Sequence, residues 1–573
     1  MWRVSKPGVW GGALKETSHT RVYRVPLAAA PRPILPLWAA VAASVAGGLI
    51  LTLAFPALGW WPMAFPAVVL ALVSLVGRTV WSSLLVGFAF GAAFFFVNLL
   101  FTARYLGPVP WIALSMLEAL ITAAGAIPLA LGYRWMPRVL PAVSARLTLL
   151  PLLIAGMWTL REQIVGSWPY GGFPWGRIGI SQASSPLAHL TSWVGVSGLT
   201  FLMVLLCAAA IEYVRVSRFR SPLTALPTVV VALLLLLVPQ FPTTPAGTIR
   251  VGAVQGNGPA GYFDERTRNA VLEAQLAATA PLDGEKMDVL LWPEGGVDSD
   301  PTTNATTAAV LDVLAERVDA PLIVSAVTTR DDEHFNSSLL WRAGEGAVQT
   351  YDKRHPVPFG EYVPNRSFWE PFAPDLIGLI GREYTPGTSA PFFELTGAPP
   401  QTPGPLTHDP DGVGIGLAIC FDVIYDDVIW DGAHAGAQVY MFQTNNADFR
   451  GTDENLQQLA FARMRAIETG RSVVNLSTVG TSQVITADGT TIDRLPADVA
   501  GHMLTDVPLR TGLTPAVVIG EAVKTLIGWG SLIALLVLGV VTLARRNAGP
   551  GGTGARQQAG GLGRSPSKNV SEA

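Results

Sequence analysis

Cysteine is scarce in this chain, which has two of them, Cys207 and Cys420, among 573 residues. They lie far apart and in different surroundings, so the sequence indicates neither a disulfide framework nor a cysteine-ligated metal site. Charge is scarce too, since charged residues make up 14% of the chain and the formal net charge is −3. No basic cluster interleaves with aromatic residues, and the composition therefore gives no support for nucleic-acid binding.

Apolar residues are abundant instead, at 50% of the chain, which favours a membrane protein over an ordinary soluble one. Runs near the roughly 20 residues of a spanning helix recur along the sequence. The first is too long for the apolar core of a signal peptide, so residues 1–33 are predicted to remain as a tail. We predict eight spans, at 34–58, 60–76, 80–100, 109–131, 147–164, 187–213, 223–238 and 526–543.

Arginine is distributed unevenly between the loops that join these spans. With a cytoplasmic amino terminus, the outer loops and span ends hold Arg104, Arg161 and Arg177. The inner loops hold more, namely Arg78, Arg134, Arg138, Arg146, Arg215, Arg218 and Arg220. Because Lys and Arg concentrate on the cytoplasmic side, this bias predicts that the region after the seventh span lies outside the cytoplasm.

The predicted organisation has five parts. A cytoplasmic tail (1–33) precedes a seven-span bundle (34–240), an extracytoplasmic domain (248–512), a last membrane helix (519–544) and a cytoplasmic tail (545–573). The last part is rich in Gly, Ser, Gln and Arg, a composition typical of disorder.

Tryptophans near the predicted span ends, Trp175 among them, are expected to form an aromatic belt at the membrane surface. The outer loop 169–182 is unusually rich in Gly, Pro and aromatic residues for a plain connector. A cover over a substrate entrance is therefore an alternative interpretation of this loop.

From residue 249 onward the long apolar runs give way to short ones. β-rich runs alternate with helical stretches, which is typical of an α/β layered domain of roughly 270 residues. The predicted strands are 249–254, 289–292, 321–327, 338–341, 348–351, 414–419, 439–443 and 473–477, and the predicted helices are 264–279, 303–318 and 453–468.

Three polar residues stand at the ends of predicted strands. Glu294 follows VLLWP, Lys353 follows the second arm of a hairpin, and Cys420 follows IGLAI. Taken singly, a Glu or Lys at a strand end is usually a solvated rim residue, and a lone Cys is usually a buried free thiol. Together they indicate a catalytic site, because a rigid sheet can hold all three around one cleft.

The chemistry of this set is coherent. A thiol must become a thiolate to attack an acyl carbonyl, so Cys420 needs a base, and Glu294 can serve if burial raises its proton affinity. The tetrahedral intermediate then needs positive charge at its oxyanion, which Lys353 and the backbone N–H after Cys420 can supply. Glu361 is a candidate second carboxylate that orients Lys353 or relays a proton, and a structural ion pair is the alternative. We expect no metal and no cofactor.

These residues carry a specific resemblance. The external domain resembles the nitrilase, or carbon–nitrogen hydrolase, superfamily, whose Glu-Lys-Cys set matches Glu294 in WPEG, Lys353 in YDKRHPVPFGEYVP and Cys420 in ICFD. Over residues 34–546 the chain resembles the bacterial apolipoprotein N-acyltransferase family, in which such a domain sits between the seventh and eighth spans. Supporting stretches are VQGN at 254–257, GFPW and SQ within 172–182, and NNADF at 445–449.

The resemblance implies an α-β-β-α sandwich joined to a polytopic helical membrane bundle, and a ping-pong reaction through a Cys420 thioester. The acyl donor would be a membrane glycerophospholipid, and the acceptor the α-amino group of the S-diacylglyceryl cysteine that begins an apolipoprotein. Glu294 would be the base and Lys353 would support the oxyanion, with Glu361 matching a further carboxylate of the family. We expect a monomer in the bacterial cytoplasmic membrane, with the catalytic domain outside.

The chain departs from the family beside its nucleophile, where Phe421 and Asp422 replace a frequent Tyr-Glu pair. Asp422 keeps the carboxylate, whereas a tyrosine hydroxyl is missing. Tyr262 or Phe263 matches an aromatic residue expected shortly after VQGN. We predict a supporting or substrate-binding role for these four residues.

A run rich in large apolar residues follows Lys353 between 364 and 381 and includes Trp369 and Ile377. An active site just above a bilayer avoids drawing acyl chains into water, which costs about 0.8 kcal/mol per methylene. We hypothesise that the run forms a mobile arm that dips toward lipid, with Trp369 contributing to substrate binding. The alternative is that it packs on the domain's own core.

Two other functions remain open on the sequence alone. A membrane-tethered amidase or carbon–nitrogen hydrolase would resolve the thioester with water, although seven spans exceed what a tether requires. A transporter or scaffold with a catalytically inactive domain is a different class. Coupled transporters normally use intramembrane charges, and the spans hold few beyond Glu118, Arg161, Glu162 and Glu212.

Overall fold

A computed structural model describes residues 29, 31–217, 222–396 and 412–547 of the chain. The predicted tails 1–33 and 545–573 lie almost entirely outside the described residues. Arg218 and Arg220, which contributed to the predicted orientation, lie outside them as well.

The amino-terminal part of the described chain is helical. Within the described residues of the whole chain, six stretches are long and apolar enough to cross a membrane: Leu37–Ala54, Val80–Asn98, Pro108–Val139, Val143–Val165, Pro186–Val216 and Pro515–Asn547. The helices before the α/β domain are α1 (Leu37–Ala54), α2 (Ala64–Leu75), α3 (Val80–Asn98), α4 (Thr102–Leu106), α5 (Pro108–Val139), α6 (Val143–Leu147), α7 (Leu149–Val165), α8 (Thr191–Ser217) and α9 (Leu226–Leu237).

Two of the eight predicted spans are short helices. Trp61–Leu75 and Pro222–Leu237 are apolar helices that fall below the length of a crossing helix. The α-helical part of the first has 12 residues, a rise of about 18 Å against a hydrocarbon core of about 30 Å. Prolines start both stretches in a 3-10 turn, so part of each apolar run is spent on a turn. Both stretches lie within one residue of the predicted bounds 60–76 and 223–238, and the topology of eight crossings stays a prediction.

Two six-stranded sheets follow in the described residues. One has the order β12-β1-β2-β3-β4-β5 and the other β11-β10-β9-β8-β7-β6. Their elements are β1 (Thr244–Gln255), α10 (Ala270–Thr279), β2 (Val289–Leu291), α11 (Ala305–Val318), β3 (Leu322–Arg330), β4 (Glu333–Arg342), β5 (Gly346–Asp352), α12 (Arg366–Trp369), α13 (Pro374–Leu379), β6 (Phe392–Thr396), β7 (Gly412–Ile419), α14 (Asp426–His434), β8 (Val439–Thr444), α15 (Glu454–Thr469), β9 (Ser472–Ser477), β10 (Ser482–Ile485), β11 (Thr491–Leu495), β12 (Gly501–Thr511) and α16 (Pro515–Asn547).

The two sheets face each other, and helices cover the outer face of each. Ile249 of β1 and Ile415 of β7 belong to one buried cluster between the sheets. Leu272 of α10 and Leu311 of α11 cover the first sheet. Helices α14 and α15 cover the second and share an apolar cluster with the membrane helices. This α-β-β-α sandwich, seated on a helical membrane bundle, confirms the predicted fold class.

The directions of the strands place the polar residues that follow them at one end of the sandwich. Strands β7 and β8 run parallel, with Ile419 opposite Gln443, and β1, β2 and β3 also run parallel. Parallel strands end at the same edge of their sheet. Gln443 Nε2 of β8 donates to Trp292 O at 2.7 Å. The carboxyl end of β8 in the second sheet therefore lies beside the end of β2 in the first, two residues before Glu294.

Candidate active site

Cys420 follows β7 directly and begins a short 3-10 helix, Cys420–Ile424. Strand β7 is fully buried between β6 and β8, so the backbone leading to the thiol is fixed. Cys420 has a φ of 48°, in the left-handed region that costs a non-glycine residue about 1–3 kcal/mol. Nucleophiles presented on a sharp strand-to-helix turn share this strain.

Lys353 lies just beyond β5, and its backbone N–H donates to Asn336 O at 2.8 Å. The side chain is 1% exposed. Its Nζ lies 3.4 Å from Glu294 Oε1 and 2.9 Å from Glu361 Oε2. Lys353 therefore forms an ion pair with Glu361, and Glu294 shares the same ammonium.

Asn336 of β4 joins the two carboxylates from the other side. Its Nδ2 donates to Glu294 Oε1 at 2.8 Å and to Glu361 Oε1 at 3.0 Å. The second oxygen of Glu361 accepts from Val357 N at 2.7 Å. The sequence prediction missed Asn336, whose place is fixed by the pairing of β4 with β5 beside Lys353.

Burial and charge set the protonation of this cluster. Burial raises the pKa of Glu294, Lys353 opposes it, and a hydrogen bond from the Cys420 thiol also favours the charged form. Burial lowers the pKa of Lys353, but Glu361 and Glu294 raise it well above its ordinary value, so the ammonium persists. Burial and then Glu294 raise the pKa of the Cys420 thiol, while Lys353 lowers it. The cluster thus holds a permanent cation, a carboxyl with raised proton affinity and a thiol.

Two family models match this chain: the apolipoprotein N-acyltransferase N-terminal domain over residues 47–209 and the carbon-nitrogen hydrolase model over residues 250–512. The apolipoprotein N-acyltransferase of Mycolicibacterium smegmatis is 31% identical over 548 residues, which are 88% of this chain and 86% of the relative. The chain belongs to the apolipoprotein N-acyltransferase family. The relative of the same name from Shewanella oneidensis is 28% identical over 429 residues, 72% of this chain and 77% of that one. Among solved structures, an amidase from Nesterenkonia sp. matches with a TM-score of 0.34 at 16% identity, covering 46% of this chain and 92% of that one.

Membership of the apolipoprotein N-acyltransferase family confirms the resemblance found in the sequence and makes the protein an acyltransferase. Its apolar helices and the match to the family's amino-terminal model make it a multi-pass membrane protein. The family name describes the acylation of an amino group, and the site combines a thiol, an ammonium and a carboxyl.

Asp422 is buried and makes all its hydrogen bonds within the protein. It accepts from Tyr351 OH at 2.8 Å, from His355 N at 2.9 Å and from Ile419 N at 3.3 Å. These bonds tie the end of β7 to the end of β5 and the loop beyond it. Asp422 therefore fixes the spacing between the loop of Lys353 and the turn of Cys420.

Phe421 points toward the membrane helices. Its ring stacks on Phe173 at 5.8 Å between centroids and meets Tyr425 edge-on at 5.4 Å. Phe173 in turn stacks on Trp175, which is 3% exposed and donates from Nε1 to Gln457 Oε1 at 2.5 Å. The aromatic-belt interpretation is wrong for Trp175, because the loop that carries it folds inward onto the α/β domain.

Two arginines bind the carboxyl end of the turn that begins with Cys420. Arg177 of the loop before α8 donates to Ile424 O at 3.1 Å and pairs with Asp426 at 3.0 Å. Arg465 of α15 donates to Val423 O at 2.9 Å and pairs with the same carboxylate at 2.9 Å. The loop 169–182 and α15 thus hold the carboxyl end of the turn in a buried ionic network.

Arg177→Met is expected to lower the free energy of unfolding by about 3 kcal/mol, because it removes one partner of a buried charge. Burial raises the pKa of Asp426, but Arg177, Arg465 and Lys524 lower it to below its ordinary value. A carboxyl of this kind stabilises the fold above its unfolded pKa of about 3.9 and loses that contribution as the pH falls. The loss in Arg177→Met should therefore be largest at neutral pH and narrow below about pH 4.

The measurement is thermal unfolding in detergent, at neutral pH and again below about pH 4, with Arg250→Met as the control. Arg250 pairs with Asp506 at the surface, with side chains 41% and 61% exposed, and such pairs contribute about 0–1 kcal/mol. The role of this network would be contradicted if Arg177→Met lost no more stability than the control, or if its loss of stability grew larger at acidic pH.

Tyr262 and Phe263 lie at the rim, about half exposed. Tyr262 N donates to Asp448 Oδ1 at 2.7 Å, and its hydroxyl donates to Leu379 O. Tyr105, between α3 and α5, packs within 6.2 Å of the Tyr262 ring and 6.0 Å of the Phe263 ring. Tyr262 therefore connects the membrane bundle to the segment that carries α12 and α13.

That segment, residues 366–380, packs with Val363 around a small apolar core. Val363, Ile377 and Ile380 form a buried cluster against which Trp369 packs, separate from the clusters of the sandwich. Trp369 Nε1 donates to Tyr170 OH at 3.2 Å. Two rings of the segment remain largely exposed, Phe368 at 57% and Phe372 at 73%. The segment thus contacts the loop 169–182 through Trp369 and Tyr170, and its apolar cluster is separate from the core of the sandwich.

Proposed function

We propose that the protein transfers an acyl chain from a membrane glycerophospholipid, through a thioester on Cys420, to the α-amino group of the S-diacylglyceryl cysteine that begins an apolipoprotein. The observation that carries the proposal is the meeting of three groups in one buried cluster. The Cys420 thiol lowers the pKa of Glu294 and Glu294 raises the pKa of the thiol, and Glu294 Oε1 lies 3.4 Å from Lys353 Nζ. Family membership supplies the reaction class.

In the first half-reaction Glu294 takes the proton of Cys420 while Sγ forms a bond to the ester carbonyl carbon. The oxyanion that develops meets the ammonium of Lys353. As the intermediate collapses, the carbon–oxygen bond of the ester breaks, and Glu294 returns the proton to the departing oxygen. A lysophospholipid leaves, and the acyl chain remains on Cys420 as a thioester.

In the second half-reaction the neutral amine of the lipoprotein attacks the thioester carbon. Glu294 takes a proton from the attacking nitrogen, and Lys353 again meets the oxyanion. The carbon–sulfur bond breaks, its electron pair returns to Sγ, and Glu294 restores the thiol proton. The product is an amide, and the enzyme is ready for another phospholipid.

The protonation of the cluster supports this division of roles. Because Glu361 and Glu294 hold the pKa of Lys353 well above its ordinary value, Lys353 serves as a cation and not as a base. Burial raises the pKa of Glu294, and a general base is most effective when its pKa lies near the working pH. Glu361 shares the ammonium and so holds Lys353 in place.

The membrane helices fit both proposed substrates. An acyl chain drawn into water costs about 0.8 kcal/mol per methylene, and a site seated on the helical bundle avoids that cost. We place the protein in the bacterial cytoplasmic membrane as a monomer, with residues 248–512 on the outer side between the bundle 34–240 and the helix 519–544. The charge bias of the loops supports this orientation.

Polar substitution of the segment 366–380 is expected to slow lipid turnover. Trp369→Gln together with Ile377→Ser disrupts the apolar cluster of the segment and its contact with Tyr170. If the segment gates lipid entry, we expect acyl transfer to fall about tenfold. A tenfold change corresponds to roughly 1.4 kcal/mol of lost contact energy. Val313→Ser, on the exposed face of α11, is the control. Full turnover in the double variant would end the gating hypothesis.

One assay tests the proposal. The purified protein is given phospholipid and a synthetic diacylglyceryl-cysteine peptide, and mass spectrometry follows the peptide and the enzyme fragment that holds Cys420. With phospholipid alone the fragment should gain the mass of one acyl chain, and with peptide present the peptide should gain it. Hydrolysis of lipid or amide without transfer would instead favour the membrane-tethered hydrolase, and the absence of any change that depends on Cys420 would favour a scaffold.

A further inference from the structure

Gln458 of α15 is a buried side chain in contact with the proposed nucleophile. It is 2% exposed, and its Nε2 lies 3.4 Å from Cys420 Sγ. Its neighbour Gln457 turns the other way, where it bonds to Trp175 and to Asn98 O. The position on the helix therefore assigns the two glutamines different surroundings, and Gln458 alone of the pair faces the sulfur.

An amide can present either its nitrogen or its oxygen to the sulfur, and the bonds behind Gln458 decide which. Gly480 N and Val479 N donate to Ser477 Oγ at 2.8 Å and 3.4 Å. Because these bonds use both lone pairs of the oxygen, the Ser477 hydroxyl donates to Asn446 Oδ1 at 2.6 Å. Asn446 must then turn Nδ2 the other way, and it donates to Gln458 Oε1 at 2.8 Å. Because its oxygen is occupied, Gln458 directs its N–H group to Cys420.

Asn446 is held in this orientation by a further partner. Its second Nδ2 hydrogen bonds to Glu454 Oε2 at 2.7 Å. Burial raises the pKa of Glu454 to about 8, and a carboxyl oxygen can accept in either protonation state. A reversed Asn446 amide would instead point Nδ2 at Ser477 Oγ, which already accepts from Gly480 N and Val479 N, and would leave a buried N–H group without a partner, which is destabilising.

We propose that Gln458 is a further catalytic residue, whose amide stabilises the thiolate of Cys420, and that Asn446 is the positioning residue that orients it. This inference rests on the proposed thioester mechanism. A thiol or thioester sulfur is a weak acceptor, whereas a thiolate accepts strongly because it carries charge. The bond therefore acts when Sγ has given its proton to Glu294, and again when the carbon–sulfur bond breaks and its electron pair returns to Sγ. Gln458 transfers no proton in either step.

The charges around the sulfur show why a neutral donor matters. Burial raises the pKa of the Cys420 thiol, Lys353 lowers it, and three carboxylates raise it further, Glu294, Glu454 and Glu361. Lys353 divides its charge between two of those carboxylates, at 3.4 Å and 2.9 Å. An amide N–H stabilises the thiolate without attracting another carboxylate.

The test is the rate at which iodoacetamide alkylates Cys420 in the full-length protein in detergent, from about pH 6 to about pH 10, where thiols ionise. Gln458→Met removes the donor and keeps the length of the side chain. We expect the thiol pKa to rise by about one unit. Since a more basic thiolate is more nucleophilic, alkylation at a given pH should fall about threefold. The rate of N-acylation should fall by about the same factor, because its first step is also an attack by the thiolate.

A residue that only packs against its neighbours would give the opposite result. Loosening of α15 would expose Cys420 and speed its alkylation. An unchanged or faster alkylation rate in folded Gln458→Met therefore overturns the inference. Alkylation requires no lipid, so a preparation that transfers no acyl chain but shows the slower alkylation would overturn the proposed function and not the hydrogen bond.

Asn446→Asp decides the matter if Gln458→Met does not fold. An aspartate can only accept, so Gln458 would turn its N–H group toward it and present its oxygen to Cys420, which slows alkylation without opening a cavity. Asn445→Asp is the matched control, because Asn445 bonds to Ala260 O and Ala447 N instead and should react at the wild-type rate. Wild-type alkylation in Asn446→Asp overturns the positioning role.

Discussion

Cys420→Ser is expected to lower acyl transfer by at least about 10⁴-fold, because a hydroxyl is far harder to ionise than a thiol and is the weaker nucleophile. The change itself is mild for the fold. Serine is nearly isosteric, and the φ of 48° at this position strains either residue. Its oxygen can still accept from Gln458 and donate to Glu294, so the loss should fall on the reaction. The gain of mass by the diacylglyceryl-cysteine peptide measures it.

Cys207→Ser is the matched control, since it alters the second thiol in the chain. Cys207 lies buried in α8, with Sγ 3.7 Å from Phe65 O, and contacts none of the groups around Cys420. Transfer near the wild-type rate is expected. Appreciable transfer by folded Cys420→Ser, or its abolition in folded Cys207→Ser, would contradict the assignment of the nucleophile.

The fold class and the three proposed reacting groups were within reach of the sequence for a physical reason. Glu294 and Cys420 each follow a buried apolar strand, whose end the sequence pattern marks, and Lys353 follows a partly buried strand that the hairpin pattern indicates. A sheet then fixes the spatial relation of its strand ends. The site therefore depends on few long-range unknowns, and a motif can specify it.

Residues placed by register could not be predicted in this way. Asn336 reaches Glu294 and Glu361 because β4 pairs with β5 and sets it beside Lys353. Gln457 and Gln458 are adjacent and chemically identical, and only the rotation of about 100° per helical residue separates the one that contacts Trp175 from the one that contacts Cys420. A single sequence holds no signal for either.

The elements absent from the prediction have weak patterns for identifiable reasons. Strand β12 includes Asp506 and Pro508, which would be out of place in a central strand, but it lies at the edge of its sheet, where proline is tolerated. Strand β11 alternates between half-buried and exposed residues and has no buried face.

Glu294→Gln is expected to slow acyl transfer by about 10²- to 10⁴-fold, the usual contribution of a general base. The same variant should speed the alkylation of Cys420 by iodoacetamide at neutral pH. The charge of Glu294 raises the thiol pKa, and glutamine removes that charge while Lys353 remains to favour the thiolate. Asn336 Nδ2, 2.8 Å from Glu294 Oε1, can donate to the glutamine oxygen equally well, so the site should keep its shape.

The opposite directions of these two changes separate proton transfer from electrostatics. If Glu294 only adjusted the population of thiolate, transfer and alkylation would rise or fall together. If it moves protons to and from substrate, transfer fails even though the sulfur is more often ionised, because the leaving oxygen and the attacking amine have lost their proton partner. Glu361→Gln provides the comparison: Glu361 also raises the thiol pKa but bonds to Lys353 and Val357 N, so alkylation should speed up with a smaller loss of transfer. A parallel fall of both rates in Glu294→Gln would remove Glu294 from the role of base.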